Sequence, residues 1–175
     1  MPTMFQTVAP ESRARRRRVA PPAAADAAGG VVVRPVRRAD LEQVIAIDST
    51  VTGLEKRAYW ASVYRRYGVA GRGEQKFLVA LEGERVVGFV IGEVRDWEFG
   101  SPPCGWVFAI SVDPQARLAG TGTRLLEAIC ASFRRAGVKK LRTLLARDNT
   151  LILSFFRSQG LMAGPLMTLE RDLAS

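Results

Sequence analysis

Residues 31–175 predict an α/β domain, a mixed β-sheet flanked by helices. Three observations carry that expectation. Apolar runs of strand length recur at residues 31–36, 76–81, 85–94, 106–112, 140–146 and 166–173. Between some of them lie stretches with apolar residues at helical spacing, the clearest being Leu125, Leu126, Ile129, Cys130 and Phe133 on one face. The resulting order, β-α-α-β-β-β-α-β-α-β, neither alternates strictly nor segregates strands from helices, which argues for a mixed sheet with helices on its faces.

The elements follow in order. Residues 1–30 read as a disordered basic tail: Arg13, Arg15, Arg16, Arg17 and Arg18 stand against Glu11 and Asp26, and residues 19–30 are mostly Ala, Pro and Gly with no apolar period to repay ordering entropy. The arginines lead into Pro21 and Pro22 rather than an apolar segment, unlike a secretory signal. After the first strand, Asp40 is placed to cap a helix carrying Leu41, Val44, Ile45 and Ile47. A second helix is expected over residues 54–67, and a loop at residues 71–73. Glu82-Gly83-Glu84 joins two strands as a hairpin. The strand at 106–112 ends at Asp113-Pro114 and leads to a helix over residues 120–136, stopped by Gly137. Asn149 can cap a last helix ending near Gln159. Residues 166–173 alternate as a final strand.

Composition excludes much. There is no histidine, so a Ser–His–Asp triad, a Cys–His pair and a His-ligated metal are ruled out, and no metal cofactor is expected. Cys104 and Cys130 form no C-x-x-C pair and read as free thiols of a reducing, cytoplasmic compartment. No apolar run approaches the roughly 20 residues of a membrane span. The net charge of +9 fits acidic partners such as a polyphosphate co-substrate or a nucleic acid, and equally plain solubility.

Chemistry concentrates after the strand at 106–112, in Arg117-Leu118-Ala119-Gly120-Thr121-Gly122-Thr123. A strand, a turn and a glycine-bearing loop open an amphipathic helix there. The first turn of a helix presents unpaired N–H groups and the positive end of its dipole, and glycines let an anion approach the backbone. This is a pyrophosphate cradle. It lacks the lysine of a P-loop and the third glycine of a dinucleotide fingerprint. It fits R/Q-x-x-G-x-G/A, the acyl-CoA loop of N-acetyltransferases, at every fixed position.

Over residues 31–173 the chain resembles the GNAT (GCN5-related N-acetyltransferase) superfamily. Ile110-Ser111-Val112-Asp113-Pro114 is similar to the family's bulged fourth strand and its exit, and Asn149, Phe156 and Gly160 stand at the spacing of its downstream Asn, Tyr and Gly. The resemblance implies a sheet splayed at the cofactor-binding strand, acetyl-CoA or another short acyl-CoA as co-substrate, and direct transfer to an amine of a small molecule or a protein. It implies that the backbone of Leu118, Ala119, Gly120, Thr121, Gly122 and Thr123 holds the pyrophosphate, with Arg117 at its edge. Ile110 and Val112 would pair with the pantetheine arm, Asn149 would contact it, and Phe156 would lie beside the thioester. For Asn149 a simple helix cap is the competing use.

The pattern departs from the family where acid and base are usually found. The tyrosine position holds Phe156, and two common base positions hold Trp106 and Leu144. Glu98, Glu93 and Asp96 are the replacement candidates, Glu98 favoured because Glu98-Phe99-Gly100 forms a turn. Proximity alone can supply roughly 7–11 kcal/mol of a barrier, and a thiolate with a pKa near 8.5 leaves without strong acid help. Glu55, Arg57, Tyr59, Trp60 and Tyr64 cluster on the expected acceptor wall, the aromatics reading mainly as core. Ser111 and Cys104 have no base to activate them. The alternatives are a non-catalytic acyl-CoA sensor and, less favoured, a nucleic-acid- or ribosome-binding module. The acceptor's identity is open, as is the oligomeric state, with a homodimer among the options.

Overall fold

The computed structural model describes residues 30–69 and 74–173. The tail expected at residues 1–30 lies, but for Gly30, outside the described residues, as does the loop expected at 71–73. Strand β1 (Val32–Pro35) is followed by α1 (Leu41–Thr52), α2 (Arg57–Val63), β2 (Gln75–Glu82), β3 (Arg85–Arg95), β4 (Cys104–Val112), α3 (Thr121–Arg135), β5 (Leu141–Thr143) and α4 (Thr150–Ser158). The five strands form one sheet in chain order, antiparallel from β1 to β4 and parallel between β4 and β5.

Alternation in β2 and β3 splits the core in two. Phe77, Val79, Phe89 and Ile91 face α1 and α2 with Val44, Ile47 and Trp60. Leu78, Ala80, Val87 and Val90 face the other way, onto Leu125, Leu126, Ile129 and Phe133 of α3 and Phe156 of α4. A strand buried on both faces reads as a nearly continuous apolar run, which is what residues 86–92 show.

Two features of β4 position the site. Ile91 lies opposite Ala109 while Gly92 lies opposite Val107, so Phe108 is an extra residue, a β-bulge. Pairing with β5 covers only Gly105, Trp106 and Val107. From Phe108 onward β4 parts from β5, and the sheet opens towards the start of α3.

Several expectations need correction. Residues 166–173 form no strand: Leu166, Met167, Leu169 and Leu173 are exposed, and the segment joins no ladder. Alternation gives strand propensity, but a strand exists only with a partner to receive its backbone hydrogen bonds. The helix expected over 54–67 begins at Arg57 and widens into a π turn at Tyr64–Gly68. Residues 140–146 shorten to three paired residues because β4 diverges. Asp40 precedes α1 without capping it. Its carboxylate accepts from both guanidinium nitrogens of Arg34, at 2.7 and 2.8 Å, and from the Arg37 amide at 2.6 Å. Burial would raise the Asp40 pKa; the Arg34 and Arg37 hydrogen bonds and charges outweigh it, and the net shift is downward. No helix among the described residues is long and apolar enough to cross a membrane.

Candidate active site

The loop after β4 folds as the sequence requires. Pro114–Ala119 makes a tight helical turn in which Asp113 accepts from the Gln115 amide at 2.9 Å. Gly120 takes a left-handed φ of 72°, a conformation glycine adopts at no steric cost. Thr121, fully buried, donates its hydroxyl to the Ala116 carbonyl at 3.2 Å and locks the turn onto α3. The intrahelical ladder of α3 begins with the Arg124 amide on the Gly120 carbonyl, so the amides of residues 121–123 are the unpaired donors of a helix start. A side chain at Gly120 would meet nothing within 4 Å, whereas one at Gly122 would stand 3.1 Å from the Phe155 ring. The space beside Gly120 is thus open, and the glycine-lined face is closely backed.

Gly120 also lines a cleft of about 390 Å³. It is lined by Ile110, Ser111 and Val112 of β4, by Arg117, Gly120, Gly122 and Thr123, and by Asn149, Ile152 and Phe155 of α4 and its cap. Val51 of α1 and Leu151 complete it. Seven of the residues expected to hold the co-substrate therefore meet in one place: Ile110, Val112, Arg117, Gly120, Gly122, Thr123 and Asn149. The structure puts Leu118 and Ala119 in the turn just before, and Thr121 beneath it. Asn149 caps α4, accepting from the Ile152 amide at 3.2 Å, and also lines the cleft. Phe156, 4% exposed, stands in the core beside Phe155, with ring centroids 5.2 Å apart.

A second cleft of about 290 Å³ adjoins the first and shares Val51, Ile110, Ser111, Asn149 and Ile152 with it. Its walls come from α1 and α2 (Asp48, Thr52, Lys56, Tyr59, Trp60), from β4 (Val107, Phe108, Ala109) and from Thr143 to Ala146, with Phe156 at its base. Tyr59 is half exposed, while Trp60 is 2% exposed and packs edge-on against Phe89. Glu55 and Arg57 form exposed ion pairs, Arg57 also with Glu42 at 2.8 Å, outside both clefts.

The three candidate carboxylates lie at the other end of β3 and line neither cleft. Asp96 is exposed. Glu98, its side chain 37% exposed, is 3.7 Å from Arg95. Glu93 sits opposite Trp106 on the α1–α2 face, accepting from Tyr67 Oη and from Arg95 Nε, each at 3.0 Å. The Tyr67 ring packs on Phe108 of the second cleft with centroids 5.1 Å apart. Burial and the Glu93 carboxylate both raise the Tyr67 pKa, keeping its proton on oxygen. Sequence reasoning missed Asp48, Lys56 and Phe155. Only the helical period hints at Asp48, since positions 44, 45 and 48 share a face. Cys104, buried, and Cys130, half-buried, are free thiols.

The family model described as Acetyltransferase (GNAT) family matches residues 41–161. An L-2,4-diaminobutyric acid acetyltransferase of Nocardia farcinica is 33% identical over 91 residues, 52% of this chain and 46% of that protein. A mycothiol acetyltransferase of Rhodococcus erythropolis is 38% identical over 88 residues, 50% of this chain and 27% of that protein. The chain thus matches less than half the length of these curated relatives. Among solved structures, the aminoglycoside N-acetyltransferase AAC(6')-Iy in complex with CoA superposes with a TM-score of 0.73 at 16% identity, over 86% of this chain and 99% of that one. The aminoglycoside 6'-N-acetyltransferase AAC(6')-Ih of Acinetobacter baumannii gives 0.69 at 14% identity, over 83% and 100%. The mixed sheet, its opening at β4 and the matched family model together place the chain in the GNAT acetyltransferase family.

Proposed function

We propose that this protein is an N-acetyltransferase that moves an acetyl group directly from acetyl-CoA to an amine. The observation that carries the reading is the junction of two clefts at Ile110 and Ser111, on the stretch of β4 that β5 leaves unpaired. The pyrophosphate would rest on the amides of residues 120–123 beside Arg117, and the pantetheine arm along Ile110 and Val112. The thioester would then face the second cleft. The amine nitrogen attacks the thioester carbonyl, the C–N bond forms as the C–S bond breaks, the nitrogen gives up a proton and the thiolate takes one. No covalent enzyme intermediate is invoked: Ser111 lines both clefts but has no base at hand, and Cys104 is buried away from them. The names of the relatives and the CoA complex of the similar fold support this chemistry.

Of the three carboxylates, Glu93 is the one linked to the second cleft, indirectly, by its hydrogen bond with Tyr67 and the packing of that ring on Phe108, and we rank it ahead of Glu98 and Asp96 for taking up the proton. The two free thiols suit a reducing cytoplasmic setting. The exposed apolar residues at 166–173 suit pairing with a second copy of the chain, a homodimer. Measuring CoA release across a panel of small amines and peptides tests the activity. Acetyl-CoA binding measured by calorimetry with no turnover on any acceptor would replace it with a sensor. Absence of binding would remove the site.

A further inference from the structure

Asp40 and Asp48 are the buried acids among the described residues. Asp40 is accounted for by Arg34. Asp48 is not accounted for by the fold in the same way. It projects from α1, is 8% exposed and lines the second cleft. One oxygen accepts from the Trp60 indole N–H at 2.9 Å. The cation beside it is Lys56, 3.0 Å from the same oxygen and 3.3 Å from the other. The two partners differ in kind. The indole is fixed in the core. The lysine reaches in from the segment between α1 and α2 on a four-carbon stem, a third exposed, with its ammonium 5.6 Å from the Tyr59 ring centroid. The carboxylate is therefore held in place whether or not Lys56 remains, and Lys56 is the exchangeable partner.

We propose that the acceptor carries two amines, and that Asp48 and the face of Tyr59 hold the second, protonated one in the place Lys56 occupies. The proposal rests on the transferase reading above and names its substrate class. The chemistry selects which nitrogen Asp48 serves. The reacting nitrogen must offer a lone pair, and a carboxylate beside it would favour the ammonium and hold it unreactive. A second nitrogen has the opposite requirement: it stays charged, pairs with Asp48 and gains from the aromatic face. Fixing that end orients the neutral nitrogen towards the shared wall at Ile110 and Ser111, which is how positioning accelerates a transfer. In the step itself the neutral amine forms the amide as the C–S bond breaks, CoA leaves as the thiolate, and the surplus proton of the reacting nitrogen ends on that thiolate, giving CoA thiol, while the second ammonium keeps its own.

The test compares α,ω-diamines of two to six carbons with the corresponding monoamines, using the full chain and acetyl-CoA. At least one diamine is expected to show kcat/KM more than tenfold above its monoamine, mainly through KM. In Asp48→Asn the amide oxygen still accepts from Trp60, and the diamine-to-monoamine ratio should fall towards one. In Lys56→Met the competing ammonium is gone and the diamine KM should drop severalfold, an effect a purely structural ion pair would not give. Equal use of monoamines, a diamine preference that survives Asp48→Asn, an unchanged or higher diamine KM in Lys56→Met, or acetyl-CoA binding without turnover of any diamine would each overturn the proposal. Failure to bind acetyl-CoA at all would instead overturn the transferase reading beneath it.

Discussion

The loop before α3 allows a substitution whose effects on stability and on binding separate cleanly. Gly120 has φ 72° and Gly137 has φ 81°, and a Cβ at either would touch nothing within 4 Å. Alanine at either position therefore costs what the left-handed region costs a non-glycine residue, about 1–2 kcal/mol, with no steric collision added. For a chain of this size each 1 kcal/mol lowers Tm by about 2–4 °C, so both variants should fold and melt a few degrees below the parent protein. Their binding should diverge. Gly137 lies at the far end of α3, whereas Gly120 lines the cleft together with Gly122 and Thr123 at the helix start. On the proposed reading a methyl there would displace the phosphate from the amides of that helix start. Losing one hydrogen bond to a charged group costs about 1.5–3 kcal/mol, a loss of about ten- to 150-fold in affinity for CoA. Calorimetric titration with CoA, paired with thermal melts, reads both quantities. Gly137→Ala should bind as the parent does. Equal CoA affinity in Gly120→Ala and Gly137→Ala would refute the assignment of the cradle.

Further outcomes follow from other contacts. Asp40→Asn should lower stability by about 2 kcal/mol at neutral pH by weakening a buried charged hydrogen-bond pair. Because the folded pKa of Asp40 is depressed, its stabilisation is complete above the unfolded value of about 3.9 and is lost as pH falls through the folded value, so denaturation curves of parent and variant should converge in acid. Glu93→Gln should reduce kcat while leaving CoA affinity unchanged; an unaltered kcat would remove Glu93 from proton transfer. Phe156→Ala should cost about 3–5 kcal/mol, as expected for emptying a buried aromatic site, seen as a fall in Tm.

The parts of the fold that could be read from the chain are those fixed by local chemistry. The α3 face shows because Leu125, Leu126, Ile129 and Phe133 repeat at helical spacing against one apolar layer. The turn into α3 shows because Gly120 and the strand before it answer to the same helix start. What stayed hidden depends on distant partners. Asp48 reads as an ordinary polar residue of α1 until Trp60, twelve positions on, folds over it. Glu98 suggested itself from a turn, but a turn does not say which way the cleft opens. The alternating run at 166–173 looks like a strand because alternation is a property of one segment, whereas pairing is a property of two.

The same short β5 that ends the β4 ladder also explains how one sheet edge could serve both substrates of the proposed transfer. An unpaired strand edge invites association with another chain, and here the part-buried stretch from Ile110 to Val112 shares its cleft with Val51 of α1 and with Ile152 and Phe155 of α4 rather than being left bare. Its backbone groups on the β5 side have no strand to pair with beyond Val107, so an extended amide-bearing arm can add to the edge as a strand would. The bulge at Phe108 divides the wall at the same place, with Ile110 and Val112 packed towards α3 and Ala109 towards α1 and α2. An arm laid along Ile110 and Val112 thus ends where the α1–α2 cleft begins. On the proposed reading, positioning of the two reactants would be a consequence of strand register, and shifting the bulge by one residue should damage transfer more than it damages either binding step alone.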